Sequence, residues 1–154
     1  FTNFPYIHYS MIVKQVDSKD TYKIRNEVLR PGRPIETCYF DNDKEDSTFH
    51  LGAYVDNKLA SVASFYLKRN DHFPEEYQYQ LRGMATLKAY QGQGLSQALL
   101  RTAFSIIKNN HVSRLWCNAR VTAIGFYEKV GFEKVSDEFE IPDVGPHVLM
   151  SKLI

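Results

Sequence analysis

A chain of 154 residues with a net charge of +1 at pH 7 is long enough for one folded domain with its own hydrophobic core. The nearly neutral charge gives no reason to expect nucleic acid or an anionic membrane as a partner. Apolar residues make up 44% of the chain and charged residues 24%, as in ordinary globular proteins, and no stretch reaches the roughly 18 apolar residues of a membrane span.

The first ten residues indicate where the folded domain begins. Residues 1–10 lack the basic flank and apolar run of a secretory signal, and Met11 looks like a natural chain start. We therefore expect 1–10 to be an N-terminal extension or expression remnant, and 11–154 to be a single domain.

The spacing of Cys38 and Cys117 fits neither a metal clip nor a disulfide framework, which favours reduced thiols, a cytoplasmic protein and no metal.

Residue patterns in the first part of the chain predict a strand followed by a helix. The β-branched segment 12–16 is typical of a strand. A helix is predicted to begin near Asp17 or Ser18, because both are good N-caps, and to end before Pro31. The acidic run 41–46 is predicted to be a solvated loop.

The rest of the chain predicts further strands and two amphipathic helices. Strands at 49–55 and 58–67 are joined by Asp56 and Asn57, a hairpin signal. The other predicted elements are a strand at 77–87, a helix from Leu95 to Asn109, a strand at 114–119, a helix that ends at Gly131, and strands at 132–135 and 148–153. This mixture predicts a single α/β or α+β domain with a mixed, mostly antiparallel sheet flanked by helices.

A short glycine-containing loop, QGQGLS at residues 91–96, lies between a predicted strand and a predicted helix. Gly92 and Gly94 can adopt positive φ or admit close backbone approach. The helix start supplies unpaired N–H groups, so the segment predicts a site for phosphate or another anion. A strand-to-helix turn with no ligand is the alternative. The loop lacks the Gly-Lys-Ser/Thr ending of a P-loop and the third glycine of a dinucleotide fingerprint.

Two segments resemble the motifs of one family. Residues 91–96 are similar to the Gln/Arg-x-x-Gly-x-Gly/Ala motif of the GNAT superfamily of acyl-CoA N-acyltransferases, with Ser96 in the last position. Residues 123–132, AIGFYEKVGF, resemble that family's Ala-x-x-Phe-Tyr-x-x-x-Gly-Phe signature. A predicted helix and strand separate the two motifs, as in the family. The resemblance implies a GNAT-like fold and a small bacterial-type N-acetyltransferase that uses acetyl-CoA.

The resemblance also implies which residues bind coenzyme A. Backbone N–H groups of six consecutive residues would hold the pyrophosphate: Gln91, Gly92, Gln93, Gly94, Leu95 and Ser96. Backbone groups of Met84 and Thr86 match the positions that pair with the pantetheine arm, and an N–H near Met84 or Ala85 would polarise the thioester carbonyl. Arg120 occupies the place of an asparagine that contacts this arm in the family, and Asn118 is the residue we expect to replace it.

The implied chemistry is direct attack of a primary amine on the acyl group in a ternary complex. Tyr127 matches the tyrosine near the CoA sulfur and would donate a proton to the leaving thiolate. The candidate bases are His147, Glu75, Glu76 and Asp46. We favour His147, because its segment resembles a Pro-His-x-x-Met ending seen in some small bacterial members. Cys117 would only line the cofactor gap, and the acidic run could alternatively attract the amine.

Two other functions stay open. A non-catalytic acyl-CoA-binding or regulatory module could keep the same fold, and a nucleotide-binding protein could use the same loop for ATP or NAD. The expected partner is a small-molecule amine, and the sequence is compatible with a homodimer. Candidate walls for its pocket are the aromatic residues Tyr9, Tyr39, Phe40, Phe65, Tyr66 and Phe73.

Overall fold

The computed structural model describes residues 10–154, so most of the predicted extension, including Tyr9, lies outside the described residues. The strands are β1 Met11–Val16, β2 Phe49–Val55, β3 Lys58–Leu67, β4 Tyr79–Thr86, β5 Arg114–Arg120, β6 Glu133–Lys134, β7 Phe139–Ile141 and β8 Gly145–Leu153. The α-helices are α1 Ser18–Ile24, α2 Leu95–Asn109 and α3 Ile124–Lys129. Within residues 10–154, no helix is both long and apolar enough to cross a membrane.

All eight strands belong to one mixed sheet. Its order is β1-β2-β3-β4-β5-β8-β6, and β7 also pairs with β8. The β4–β5 pair is parallel and the other pairs are antiparallel. The predicted hairpin is present, with Asp56 and Asn57 at φ 47° and 68°, the positive angles that a type I′ turn requires. The predicted mixed, mostly antiparallel sheet flanked by helices is therefore confirmed.

Helices pack on opposite faces of this sheet. The apolar side of α2, from Leu95 to Ile107, joins the larger core together with Ala63 and Phe65 of β3. The neighbouring residue Val62 belongs instead to a smaller cluster with Ile24 of α1. Because adjacent strand residues point to opposite faces, α1 and α2 cover different sides of the sheet.

A β-bulge in β4 changes the side of the sheet toward which its side chains point. Arg82 pairs with Ser64 and Ala85 pairs with Val62, so Gly83 and Met84 together face one residue of β3. Gly83 has φ 63°, and a Cβ there would lie 3.0 Å from the Phe40 ring and 3.2 Å from Arg25 Nε. Glycine is thus required both by the backbone angle and by crowding.

Strands β4 and β5 separate after a very short ladder. They pair only at Tyr79 with Leu115 and at Gln80 with Trp116. Beyond Gln80, β4 continues for six residues without a partner on that side, while β5 continues along β8 to Arg120. The sheet therefore opens into a wedge between residues 81–86 of β4 and residues 117–120 of β5.

Two predicted segments differ from the structure. The first predicted helix is α-helical only to Ile24 and continues as a π-helical turn, Arg25–Leu29. The predicted loop between 135 and 148 contains β7, a three-residue strand that pairs with the start of β8. So short a strand has no periodicity of its own and is fixed by its hydrogen bonds to β8.

Candidate active site

A cleft of about 810 Å³ occupies the wedge between β4 and β5. Its walls come from both faces of the sheet. One side carries residues of the π-helical turn and the loop after it, and the other carries α3. Of the residues predicted from sequence to act in the site, those that line this cleft are Met84, Asn118, Arg120, Tyr127 and His147. Of the aromatic wall candidates within the described residues, Phe40 lines it.

The glycine loop at the start of α2 has the geometry of an anion site. Gly92 and Gly94 have φ 77° and 81°, and no atom of the described residues lies within 4 Å of a Cβ built on either. Gly94 is the N-cap of α2 and supplies no side-chain cap. The first helical bond runs from the Ala98 N–H to the Gly94 carbonyl, so the N–H groups just before it are free to bind a ligand.

Ser96 fastens this loop to the end of β4. Its hydroxyl is 3.1 Å from the Thr86 hydroxyl, which lies 2.7 Å from that of Ser61 in β3. A hydroxyl in the last position of the loop motif thus joins the helix start to the strand end, a role that glycine or alanine could not fill. Thr86 and Ser96 therefore direct their hydroxyl groups to each other.

The other residues predicted to bind the cofactor, Ala85, Thr86 and 91–96, lie outside the lining of this cleft. Ala85 and Leu95 are buried in the two cores. Gln91 donates from Nε2 to the Thr86 carbonyl at 3.3 Å and lines a separate cavity of about 840 Å³ between α1 and the turn after β4. Gln93 donates to the Ala89 carbonyl at 3.5 Å. These two glutamines brace the loop.

Tyr127 and Cys117 are both buried, and both line the cleft. Burial raises the pKa of the Cys117 thiol to about 12, so the thiolate that a nucleophilic cysteine needs is absent near neutral pH. Burial and the neighbouring Cys117 also raise the pKa of Tyr127 well above its ordinary value. Tyr127 therefore stays a phenol with a proton to donate.

His147 lies on β8, opposite Arg120 of β5, and is buried. Its Nδ1 is 2.7 Å from the Gly145 carbonyl oxygen. Because a carbonyl only accepts, Nδ1 carries the proton and Nε2 keeps a lone pair in the neutral ring. This tautomer is the one that a base acting through Nε2 needs.

The three carboxylate candidates for the base lie outside the cleft lining. Glu75 is 2.7 Å from Arg114 in an ion pair, and hydrogen bonding to Arg114 lowers the pKa of its carboxyl. Glu76 and Asp46 are exposed. Among residues 10–154, no group of three or more His, Cys, Asp or Glu side chains is arranged to hold a metal ion.

A buried polar network beneath the cleft corrects the prediction that the acidic run is only a solvated loop. Asp43 is buried and accepts from Arg25 at 2.7 and 3.0 Å, and Arg25 is fully buried. The Tyr66 hydroxyl donates to the same carboxylate, and its Oδ2 accepts the Phe40 N–H at 2.9 Å. Burial acts to raise the pKa of Asp43, but these hydrogen bonds outweigh it and the pKa is lowered.

His50 extends the network. Its Nδ1 is 2.6 Å from the Ser64 hydroxyl and its Nε2 is 2.8 Å from the Asp43 carbonyl oxygen. Burial lowers the pKa of His50. The sequence does carry a signal for the network: Arg25 falls on the apolar stripe of the first helix, between Thr21 and Val28, where a cation needs a buried partner.

Some polar atoms of the cleft are left for a ligand. Oε1 of Gln80 is buried without a hydrogen-bond partner among the described residues, and Gln80 lines the cleft where β4 leaves β5. A ligand that carries amide N–H groups would satisfy it. Together with the open backbone of β4 and the uncapped start of α2, this acceptor fits an extended, amide-containing molecule that ends in a phosphate group.

Known proteins match most of this chain in sequence. A sequence profile of the acetyltransferase (GNAT) domain matches residues 35–153. The uncharacterized N-acetyltransferase YitI of Bacillus subtilis (strain 168) is 38% identical over 142 residues, which cover 92% of this chain and 95% of that protein. The putative acetyltransferase BSU40680 of the same organism is 34% identical over 145 residues and 92% of each chain.

Solved structures share the fold at low sequence identity. The ribosomal-protein-S18-alanine N-acetyltransferase from Escherichia coli superposes with a TM-score of 0.71 at 20% identity, covering 94% of each chain. The IAA acetyltransferase from Bacillus cereus ATCC 14579 gives a TM-score of 0.70 at 16% identity, covering 94% of this chain and all of that one. These two likenesses concern the fold alone.

Proposed function

Because the chain belongs to the acetyltransferase (GNAT) family, we propose that it transfers an acetyl group from acetyl-CoA to a primary amine by direct attack in a ternary complex. The observation that carries the proposal is the open wedge between β4 and β5, together with the uncapped, glycine-containing helix start that the Thr86–Ser96 contact fastens to the end of β4. The wedge offers a strand edge to an extended arm, and the helix start offers N–H donors to a pyrophosphate.

Backbone groups hold most of the coenzyme in this proposal. The N–H groups of residues 91–96 bind the pyrophosphate, and Met84 and Thr86 pair with the pantetheine arm. An N–H at Met84 or Ala85, beside the bulge, polarises the thioester carbonyl. Asn118 and Arg120 contact the arm from β5, and both are exposed and line the cleft, which supports this placement.

Tyr127 acts as the general acid. The bound thioester supplies the acetyl group, and its departing sulfur needs a proton. The raised pKa of Tyr127 keeps the phenolic proton in place at neutral pH, and its position in the cleft supports the assignment. The raised pKa of Cys117 argues against an acyl-cysteine step and for direct transfer.

His147 removes the proton that the acceptor amine must lose. An alkylammonium has a pKa of roughly 10, so the attacking amine needs a base. Nε2 of His147 keeps its lone pair, because Nδ1 is committed to the Gly145 carbonyl.

The cytoplasm is the proposed compartment, since Cys38 and Cys117 are both free thiols.

Calorimetric titration with acetyl-CoA, followed by thiol release on a panel of amines, tests the proposal. We expect a dissociation constant for acetyl-CoA below about 1 mM and turnover with at least one primary amine. Tyr127→Phe should lower kcat by roughly 10²- to 10⁴-fold and leave the affinity for acetyl-CoA within about threefold. Absence of acetyl-CoA binding would refute the proposal, and binding without turnover on any amine would favour the non-catalytic module.

A further inference from the structure

Arginines dominate the charge of the cleft. Its lining includes Arg30, Arg33, Arg82 and Arg120, against Asp143 as its single carboxylate. Among residues 10–154, ion pairs within 4.0 Å join Arg25 to Asp43, Arg69 to Asp71 and Arg114 to Glu75, so none uses these four cations. Residues 1–9 contain no Asp or Glu that could neutralise them.

Phe40 holds two of these arginines together. The Arg82 guanidinium carbon is 4.8 Å from the centre of the Phe40 ring, and that of Arg30 is 5.7 Å away. The buried Arg25 lies 4.1 Å from the same ring. Three cations therefore surround one aromatic ring, and Asp43 pairs with the buried one, Arg25.

The ring itself is fixed in place. Asp43 accepts the backbone N–H of Phe40, and Arg25 packs against the ring from within the protein. Arg82 and Arg30 are half-buried, so each has lost part of its hydration. Preorganised guanidinium groups without a counter-ion are suited to bind a carboxylate or phosphate, since the planar donors match the two oxygens of an anion.

We propose that the acceptor amine carries an anionic group, a carboxylate or a phosphate, which Arg82 and Arg30 bind; the inference rests on the proposed function. Arg82 directly precedes Gly83 and Met84, the bulge beside which the thioester is proposed to lie. An acceptor held by Arg82 would therefore bring its amine close to the acetyl group. Polycationic amines are disfavoured by the same charges.

The position of Arg82 separates this anion site from the proposed pyrophosphate site. Arg82 lies four residues before Thr86, about 13 Å along the strand. The loop at 91–96 is attached beyond that far end, through the Thr86–Ser96 contact. Arg82 also contacts Phe40 and Tyr66, on the face of the sheet opposite α2.

The test compares each anionic amine with its neutralised counterpart at saturating acetyl-CoA. One pair is an amino acid and its amide, and the other is phosphoethanolamine and ethanolamine, with spermidine as a polycation. We expect kcat/KM at least about tenfold higher for one anionic member, and the pair that responds identifies carboxylate or phosphate. Arg82→Gln and Arg30→Gln should each raise the KM of that amine by about 10- to 100-fold.

Three controls make the assignment specific. Arg101→Gln removes an exposed cation of α2 that is outside the cleft. It should change neither the KM of the anionic amine nor the KM of acetyl-CoA. The KM of acetyl-CoA should stay within about twofold in all variants, and Arg101→Gln should leave the activity on the neutral amine unchanged. Equal turnover of anionic and neutral amines, or an increase in the KM of acetyl-CoA instead, would overturn the inference.

Binding decides the matter if no amine is turned over. Calorimetry with the amino acid and with phosphoethanolamine, with and without acetyl-CoA, would then be run on the wild-type protein and on Arg82→Gln. Weaker binding of either anion to the variant supports the anion site although the proposed transferase activity fails. Absent binding, or binding that the substitution does not change, refutes the anion site.

Discussion

Asp43→Asn should destabilise the protein strongly, because it leaves a buried guanidinium without its counter-ion. The carboxylate accepts four hydrogen bonds: two from Arg25, one from the Tyr66 hydroxyl and one from the Phe40 N–H. Asparagine keeps one acceptor oxygen and turns an NH₂ group toward the donors that the other oxygen served. Arg25 has no exposed surface from which its charge could reach water.

The expected cost is about 3–5 kcal/mol at pH 7, as for removal of one member of a buried ion pair. In a domain of this size that cost lowers the melting temperature by about 6–20 °C. Urea unfolding followed by the fluorescence of Trp116, the single tryptophan, measures the free energy, and circular dichroism provides a second probe.

Asp46→Asn is the matched control. It makes the same chemical change three residues later in the same acidic run, at an exposed position, and should cost less than about 0.5 kcal/mol. If Asp43→Asn stays within 1 kcal/mol of the wild type in both probes, the buried ion pair does not hold this part of the fold together and the reasoning is wrong.

Three further predictions concern the loop, the thiol and the buried histidine. Gly94→Val places a β-branched residue at φ 81° and should weaken acetyl-CoA binding at least about tenfold; Gly32→Val, with φ 76° outside the loop, should not, and equal losses would refute the loop assignment. Cys117→Ala should keep turnover within about threefold, and an acetylated Cys117 trapped in the wild type would contradict direct transfer. Burial lowers the pKa of His50, so the folded protein binds fewer protons than the unfolded chain. The free energy of unfolding should therefore have its full value above about pH 6.5 and fall below that pH. Urea titrations of His50→Gln should not show this fall.

Much of the fold could be predicted because its signals are local. The hairpin at Asp56 and Asn57 and the helix beginning at Leu95 depend on turn chemistry and on an apolar stripe. The glycine loop and the Tyr127 segment are recognised through their resemblance to family motifs, which are also local. What could not be read was β7, whose three residues are ordered by pairing with β8.

Part of the cleft wall depends on contacts between distant parts of the chain, and the sequence does not predict that part. Arg25 and Asp43 are 18 residues apart and meet only when the π-helical turn packs on β4. In the sequence, Arg82 looks like any polar residue in the alternating pattern of a strand. Its role depends on Phe40, which lies in a loop distant in sequence. Local patterns do not specify such pairings: the position of Arg25 on an apolar stripe indicates that it needs a buried partner, but not which residue supplies it.

The parting of β4 from β5 also bears on aggregation. An unpaired strand edge usually invites a strand of another molecule, and proteins protect such edges with charges or coverings. Here the open edge after Gln80 faces inward across a wedge, and arginines lie at its walls. Charges beside an open edge are one of the protections that sheets use against pairing with another chain. The arginines that we propose to bind the acceptor therefore also protect the open edge of β4.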